Sequence, residues 1–167
     1  LISASGALNY QWGNGVQISN QYVSPTTIGN NSYIVTGSDI NSCSNSDTVN
    51  ILVNSLPIAQ VSASDTNICI NDTITLLSSA ASNYQWNNGS TSQSQTLILS
   101  NVGTNIFTVT IFDNNSCSAT DSVIVNVNNN PTISVSANNN NICIGESVTL
   151  SATGAINYLW DNGVTSS

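Results

Sequence analysis

The chain contains no lysine, arginine, histidine or methionine. Eight carboxylates therefore stand unopposed, and the formal net charge is −8. No cation is present to displace phosphate counterions, so nucleic acid is not an expected partner. An anionic membrane surface is disfavoured for the same reason. The cysteines form no CxxC pair and no histidine accompanies them, so a zinc site is not expected. No stretch has helical periodicity, and no apolar run is long enough to span a bilayer as a helix. No charged-then-apolar leader is visible. These readings predict no membrane insertion and no cofactor in this segment.

What is there repeats. Trp12, Trp86 and Trp160 stand 74 residues apart, as do Tyr10, Tyr84 and Tyr158. Cys43 recurs as Cys117, Cys69 as Cys143 and Pro57 as Pro131, with no insertion or deletion. A period this long encloses a small core of its own, unlike a solenoid turn. The spacing predicts one complete unit, 57–130, flanked by an N-terminally incomplete unit, 1–56, and a C-terminally incomplete one, 131–167. A fragment of a longer array is the expected origin.

Within the unit, short runs alternate with period 2. Strands are predicted at Ala59–Ala63, Thr73–Leu76, Tyr84–Trp86, Thr96–Leu99, Phe107–Ile111 and Ser122–Val127. The pair Asn88-Gly89 and the run Asp113–Ser116 punctuate them as turns. The expected fold class is all-β, with an antiparallel β-sandwich in each 74-residue repeat. The inward set is Val61, Ile74, Leu76, Trp86, Phe107, Val109, Ile111, Val123, Val125 and Val127, with Thr108 and Thr110 facing out.

Candidate chemistry is sparse. Without histidine or lysine, an acid, base or nucleophile would come from carboxylate, tyrosine, hydroxyl or thiol. The carboxylates at Asp39, Asp47, Asp113 and Asp121 fall around one hairpin turn in each copy, where Asx turns account for them. No enzymatic activity is expected. A structural calcium ion is the competing reading: Asp113, Asn115 and Asp121, repeated as Asp39, Asn41 and Asp47, offer hard oxygen ligands. Three side chains per turn, with no acidic neighbour loop, favour turn residues and no metal. Cysteines at fixed repeat positions, Cys43, Cys69, Cys117 and Cys143, are read as disulfide formers of an extracellular chain.

Several motifs together resemble a known repeat type. They are Ile68-Cys69-Ile70-Asn71-Asp72-Thr73-Ile74-Thr75-Leu76, then Tyr84-x-Trp86-x-Asn88-Gly89. Gly103 with Phe107-Thr108-Val109-Thr110 follows, and then Asp113-x-Asn115-Ser116-Cys117. The whole pattern is similar to the Ig-like/PKD-like repeats of very large surface adhesins. Such repeats are typical of gliding Bacteroidetes-type bacteria and their type IX-secreted proteins. The PKD branch often reads Trp-x-Phe-Gly-Asp-Gly; here Asn87-Asn88-Gly89 follows Trp86, which places the chain on the Ig-like side.

The resemblance implies extended stalks, secreted or held at the cell surface, that carry an adhesive tip. It implies that Trp12, Trp86 and Trp160 are core residues packed between sheets and not sugar-stacking platforms. On Ig topology Cys69 and Cys117 fall at opposite ends of the sandwich, too far apart for a bond. One expectation is therefore that Cys69 bonds the counterpart of Cys117 in the following repeat. No two of the four cysteines here would then be mutual partners. The alternative is a 69–117 bond within a unit of less usual strand order. Asp47-Thr48-Val49, Asp72-Thr73-Ile74 and Asp121-Ser122-Val123 resemble the O-glycosylation signal of these bacteria, which nominates Thr48, Thr73 and Ser122.

The leading functional expectation is a structural stalk segment of a long repetitive extracellular adhesin. Its partners are then adjacent repeats of the same chain. The competing readings are a glycan- or protein-binding Ig-like module, whose variable segment Gly89 to Ser100 would make the contact, and a subunit of a self-assembling surface filament or sheath.

Overall fold

The computed structural model describes residues 1–165; Ser166 and Ser167, the end of the third expected unit, lie outside the described residues. The described chain is all-β and β-sandwich-like, with no helix. Its first stretch contains β1 (Ile2–Ser3), β2 (Asn9–Trp12), β3 (Asn20–Gln21), β4 (Gly29–Ser38) and β5 (Ser44–Val53). The middle stretch contains β6 (Val61–Ala63), β7 (Asn67–Cys69), β8 (Thr73–Ser78), β9 (Asn83–Trp86), β10 (Ser94–Ile98), β11 (Gly103–Phe112) and β12 (Ser118–Asn128). The last stretch contains β13 (Ser134–Ala137) and β14 (Leu150–Thr153).

In the middle stretch the strands form two sheets, ordered β10-β8-β6 and β7-β12-β11-β9. Alternation decides which side chains meet between them. Along β8, Ile74, Leu76 and Ser78 are buried while Thr73, Thr75 and Leu77 are exposed. Along β11, Phe107, Val109 and Ile111 point in, and on β12 Val125 and Val127 do the same. With Ile68, Trp86 and Leu99 these residues form one core cluster, against which Val61, Ala63, Leu97 and Val123 pack.

The turns follow from the residues that make them. Gly89 has φ +87° and closes a tight turn, its N–H donating to the Trp86 carbonyl at 3.0 Å. That backbone region is one that glycine occupies without steric cost. The turn carries the chain from β9 in one sheet towards β10 in the other, so the two flanking strands do not form a hairpin.

One pairing departs from the antiparallel expectation. β7 adds to the edge of β12 in parallel, with Asn67 opposite Asn126 and Cys69 opposite Asn128. β6 keeps the same direction: the Val61 N–H donates to Asp121 Oδ2 at 2.8 Å. The segment before β8 thus runs alongside β12 from Asp121 to its end at Asn128. Val61 stands four residues after Pro57, as Asp121 stands four after Cys117, so the chain comes in from the Cys117 side of β12. The chain enters the unit at one pole and leaves it, at Asn128, from the other.

The flanking stretches repeat parts of this plan. β4 and β5 pair over ten residues, as β11 and β12 do, and β2 pairs with β4 as β9 does with β11. The first stretch begins at the counterpart of Thr75 and so contains no counterpart of β6. A groove of about 530 Å³ lies there, lined by Tyr10, Trp12, Tyr33, Val35 and Asp47 among others. Asp47 is the counterpart of Asp121, which in the middle stretch holds β6.

Candidate functional site: the two poles of the unit

The incoming pole is the tip of the β11–β12 hairpin. Asp113 Oδ1 accepts the N–H groups of Asn115 and Cys117 at 2.8 and 2.9 Å. The Asp113 N–H donates to the Cys117 carbonyl at 3.0 Å, and Ser116 sits at φ 63°. One carboxylate thereby satisfies two turn donors, which is the physical role of an Asx turn. The first stretch does the same: Asp39 Oδ1 accepts from Asn41 and Cys43, both at 2.9 Å, with Ser42 at φ 65°.

The residues nominated for calcium are not drawn together at this pole. Asp121 turns its Oδ2 to Val61 on β6, and Asp47 Oδ1 accepts the Thr48 N–H at 2.8 Å. Asn115 contributes its backbone N–H to the turn. Among the described residues no group of three or more His, Cys, Asp or Glu side chains is arranged to hold a metal ion. Asp39 and Asn41 in the first stretch repeat the arrangement of Asp113 and Asn115, whereas Asp47 differs from Asp121 in its partner.

The outgoing pole is the turn between β7 and β8. Asp72 Oδ2 accepts the Cys69 N–H at 3.0 Å, and the Asp72 N–H returns to the Cys69 carbonyl at 3.1 Å. Asn71, at φ 70°, makes the left-handed step. The departing strand is tied in as well: the Ile70 N–H donates to the Asn128 carbonyl at 2.8 Å, and Asn128 Nδ2 donates to the Ile68 carbonyl at 3.3 Å. In the third stretch Glu146 replaces Asp72 with the same function, its Oε2 accepting the Cys143 N–H at 2.9 Å. Gly145 there takes the left-handed position of Asn71, with φ 88°.

Both poles therefore present a cysteine from a turn whose backbone a carboxylate has fixed. Cys43, Cys69 and Cys143 are exposed, Cys117 is partly so, and all four are unbonded. Cys69 lies beside Asn128, eleven residues along β12 from Cys117. At about 3.3 Å per strand residue the two are some 35 Å apart. A disulfide needs Cα atoms within about 7 Å. A bond between Cys69 and Cys117 of one unit is geometrically excluded.

The tryptophans lie inside. Trp12 and Trp86 are each 2% exposed. Each indole N–H donates at 2.8 Å to a backbone carbonyl six residues on, that of Ile18 and of Ser92. No aromatic face is offered to a sugar at either position. Trp160 is half-buried, in a stretch whose described strands are β13 and β14 alone. The tyrosines have a role that sequence reading did not find: the Tyr84 hydroxyl accepts the Ala81 N–H at 2.8 Å, as Tyr10 does from Ala7 and Tyr158 from Ala155 at 3.0 Å. The signal was available in the constant Ala-x-x-Tyr spacing of all three copies.

Thr48, Thr73 and Ser122 all expose their side chains on β5, at the start of β8 and on β12. They lie on outer sheet faces that carry hydroxyls, amides and scattered apolar groups. Thr110 and Thr120 hydrogen-bond across the strands at 2.9 Å, and Thr36 and Ser46 repeat the pair at 2.8 Å. Ile106 and Ile124 oppose each other, whereas the same places in the first stretch hold Ser32 and Asn50, joined at 2.6 Å. The pair has changed character as a unit.

No family model matches the chain, and no curated protein sequence matches it.

Proposed function

We propose that the chain is a stalk segment of a long repetitive extracellular adhesin, built of Ig-like β-sandwich units of 74 residues. Units 1–56, 57–130 and 131–167 are successive beads, the first and last represented in part. The observation that carries this reading is the placement of the chain's two ends in the middle unit. Val61, four residues after Pro57, bonds Asp121 in the first half of β12, and Asn128 lies beside Cys69 at the other end of that strand. Copies joined through poles at opposite ends advance in one direction and do not fold back on each other. Repetition then sets length, as in other quasi-one-dimensional arrays.

The surface agrees with a spacer. The carboxylates of the middle unit, Asp65, Asp72, Asp113 and Asp121, accept backbone hydrogen bonds in turns or at β6. No catalytic role is proposed for them. Glycans on Thr48, Thr73 and Ser122 would shield the strands that carry them. The secreted or cell-surface location follows from the same reading.

Electron microscopy of the native array tests it. A strand length of about 35 Å plus a three-residue linker that reaches at most about 10 Å gives a rise of roughly 40–45 Å per repeat. The expected image is a filament one chain thick with that rise. A fibre several chains thick would favour the sheath reading, and a compact particle would refute both.

A further inference from the structure

The geometry points to a disulfide between neighbouring units, joining Cys69 to the cysteine that stands one repeat beyond Cys117. This inference rests on the tandem arrangement proposed above and adds a covalent staple at each junction. The departing strand places Asn128 beside Cys69, and only Asn129 and Asn130 separate it from Pro131. Pro131 is the counterpart of Pro57, which precedes Val61 by four residues, as Cys117 precedes its partner Asp121 by four. The outgoing cysteine of one unit and the incoming cysteine of the next therefore meet across one short linker.

Two further observations make this a built junction. The bond within a unit is excluded, because about 35 Å separates Cys69 from Cys117. Both cysteines are also held from rigid turns, with their N–H groups bound by Asp72 and Asp113. The same carboxylate–cysteine pairing recurs at Cys43 with Asp39 and at Cys143 with Glu146. A turn fixed in this way holds the cysteine's backbone and lowers the entropy lost when the bond closes.

The oxidant is a disulfide-carrying oxidoreductase of the secretory route. One thiolate attacks its disulfide to form a mixed disulfide. The second thiolate displaces the carrier's sulfur, forming the inter-unit bond. Two electrons and the two thiol protons end on the carrier, which leaves as a dithiol.

The test extends the full chain by a copy of residues 94–130 placed after residue 167, which completes the third unit. Cys117→Ser in the same chain makes the appended copy the only source of the Asn-Ser-Cys-Ser-Ala peptide. After dilute oxidation in a glutathione redox buffer, free thiols are alkylated and the chain is digested without reduction for mass spectrometry. The expected product is a monomer with the Cys69 peptide linked to the appended peptide, and with Cys43 and Cys143 alkylated. A free Cys69, a Cys69–Cys143 link or a link between two chains overturns the inference. The unextended chain with its native Cys117 gives a second readout, independent of how the extension folds. All four thiols should alkylate after the same oxidation, and a Cys69–Cys117 product overturns the inference. Failure of the staple leaves the filament image of the stalk unchanged, so the two proposals fail separately.

Discussion

Trp86→Ala isolates the energetic centre of the middle unit. The side chain is 2% exposed and packs with Ile74, Leu76, Val109 and Ile111, all fully buried. Removing an aromatic from such a core costs about 3–5 kcal/mol, the lost transfer energy plus the cavity left behind. A unit of this size has a total stability of roughly 4–11 kcal/mol, at about 0.05–0.15 kcal/mol per residue. The substitution therefore removes between about a quarter and all of it. Hydrogen exchange of the β11 and β12 amides reads the loss directly, because their opening follows global unfolding of the unit. Protection should fall by roughly two to three and a half orders of magnitude, at about 1.4 kcal/mol per tenfold. Trp86→Phe keeps a ring but loses the indole N–H bond to the Ser92 carbonyl, and a fall of about tenfold is expected. Trp160→Ala, in a separate stretch, should leave β11 and β12 unchanged. Equal losses from Trp86→Ala and Trp160→Ala, or no loss from Trp86→Ala, would refute the picture of a self-contained core.

Three other outcomes follow from the same geometry. Asp121→Ala removes the acceptor that holds Val61; about 1–2 kcal/mol should be lost in urea unfolding, with Asp121→Asn milder because it retains an oxygen. Excess chelator should leave the thermal midpoint where it is, since Asp113 and Asp39 each commit Oδ1 to two turn N–H groups and Asp121 turns Oδ2 to Val61; a fall of several degrees would reinstate calcium. Intact-mass measurement of native material should show added hexose-scale mass lost on Thr48→Ala, Thr73→Ala and Ser122→Ala together; a mass equal to the bare sequence removes the glycosylation proposal.

Much of the fold was legible because its signals are local. The alternation Thr73-Ile74-Thr75-Leu76 put two methyl-rich side chains on one face, and β8 follows it. Phe107-Thr108-Val109-Thr110-Ile111 did the same for β11, though the strand extends to Gly103 and Phe112 because β12 pairs with it throughout. What escaped was β7. Three residues, Asn67-Ile68-Cys69, carry no periodicity of their own, and their strand character comes from a distant partner, the end of β12. That parallel addition is the feature that fixes the two poles, so the strongest functional observation was the least local one. The Asx turns were readable from Asp113 and Asn115, whereas the reach of Asp121 to Val61, sixty residues away, was not.

The separation of the poles is the claim on which the stalk, the rise per repeat and the inter-unit bond all depend. Spin labels on Cys69 and Cys117, with Cys43→Ser and Cys143→Ser to silence the other thiols, measure it by pulsed dipolar spectroscopy in the folded chain. A single distribution centred near 35 Å is predicted from the length of β12. A distance below about 20 Å would bring both cysteines to one end of the unit and contradict the account.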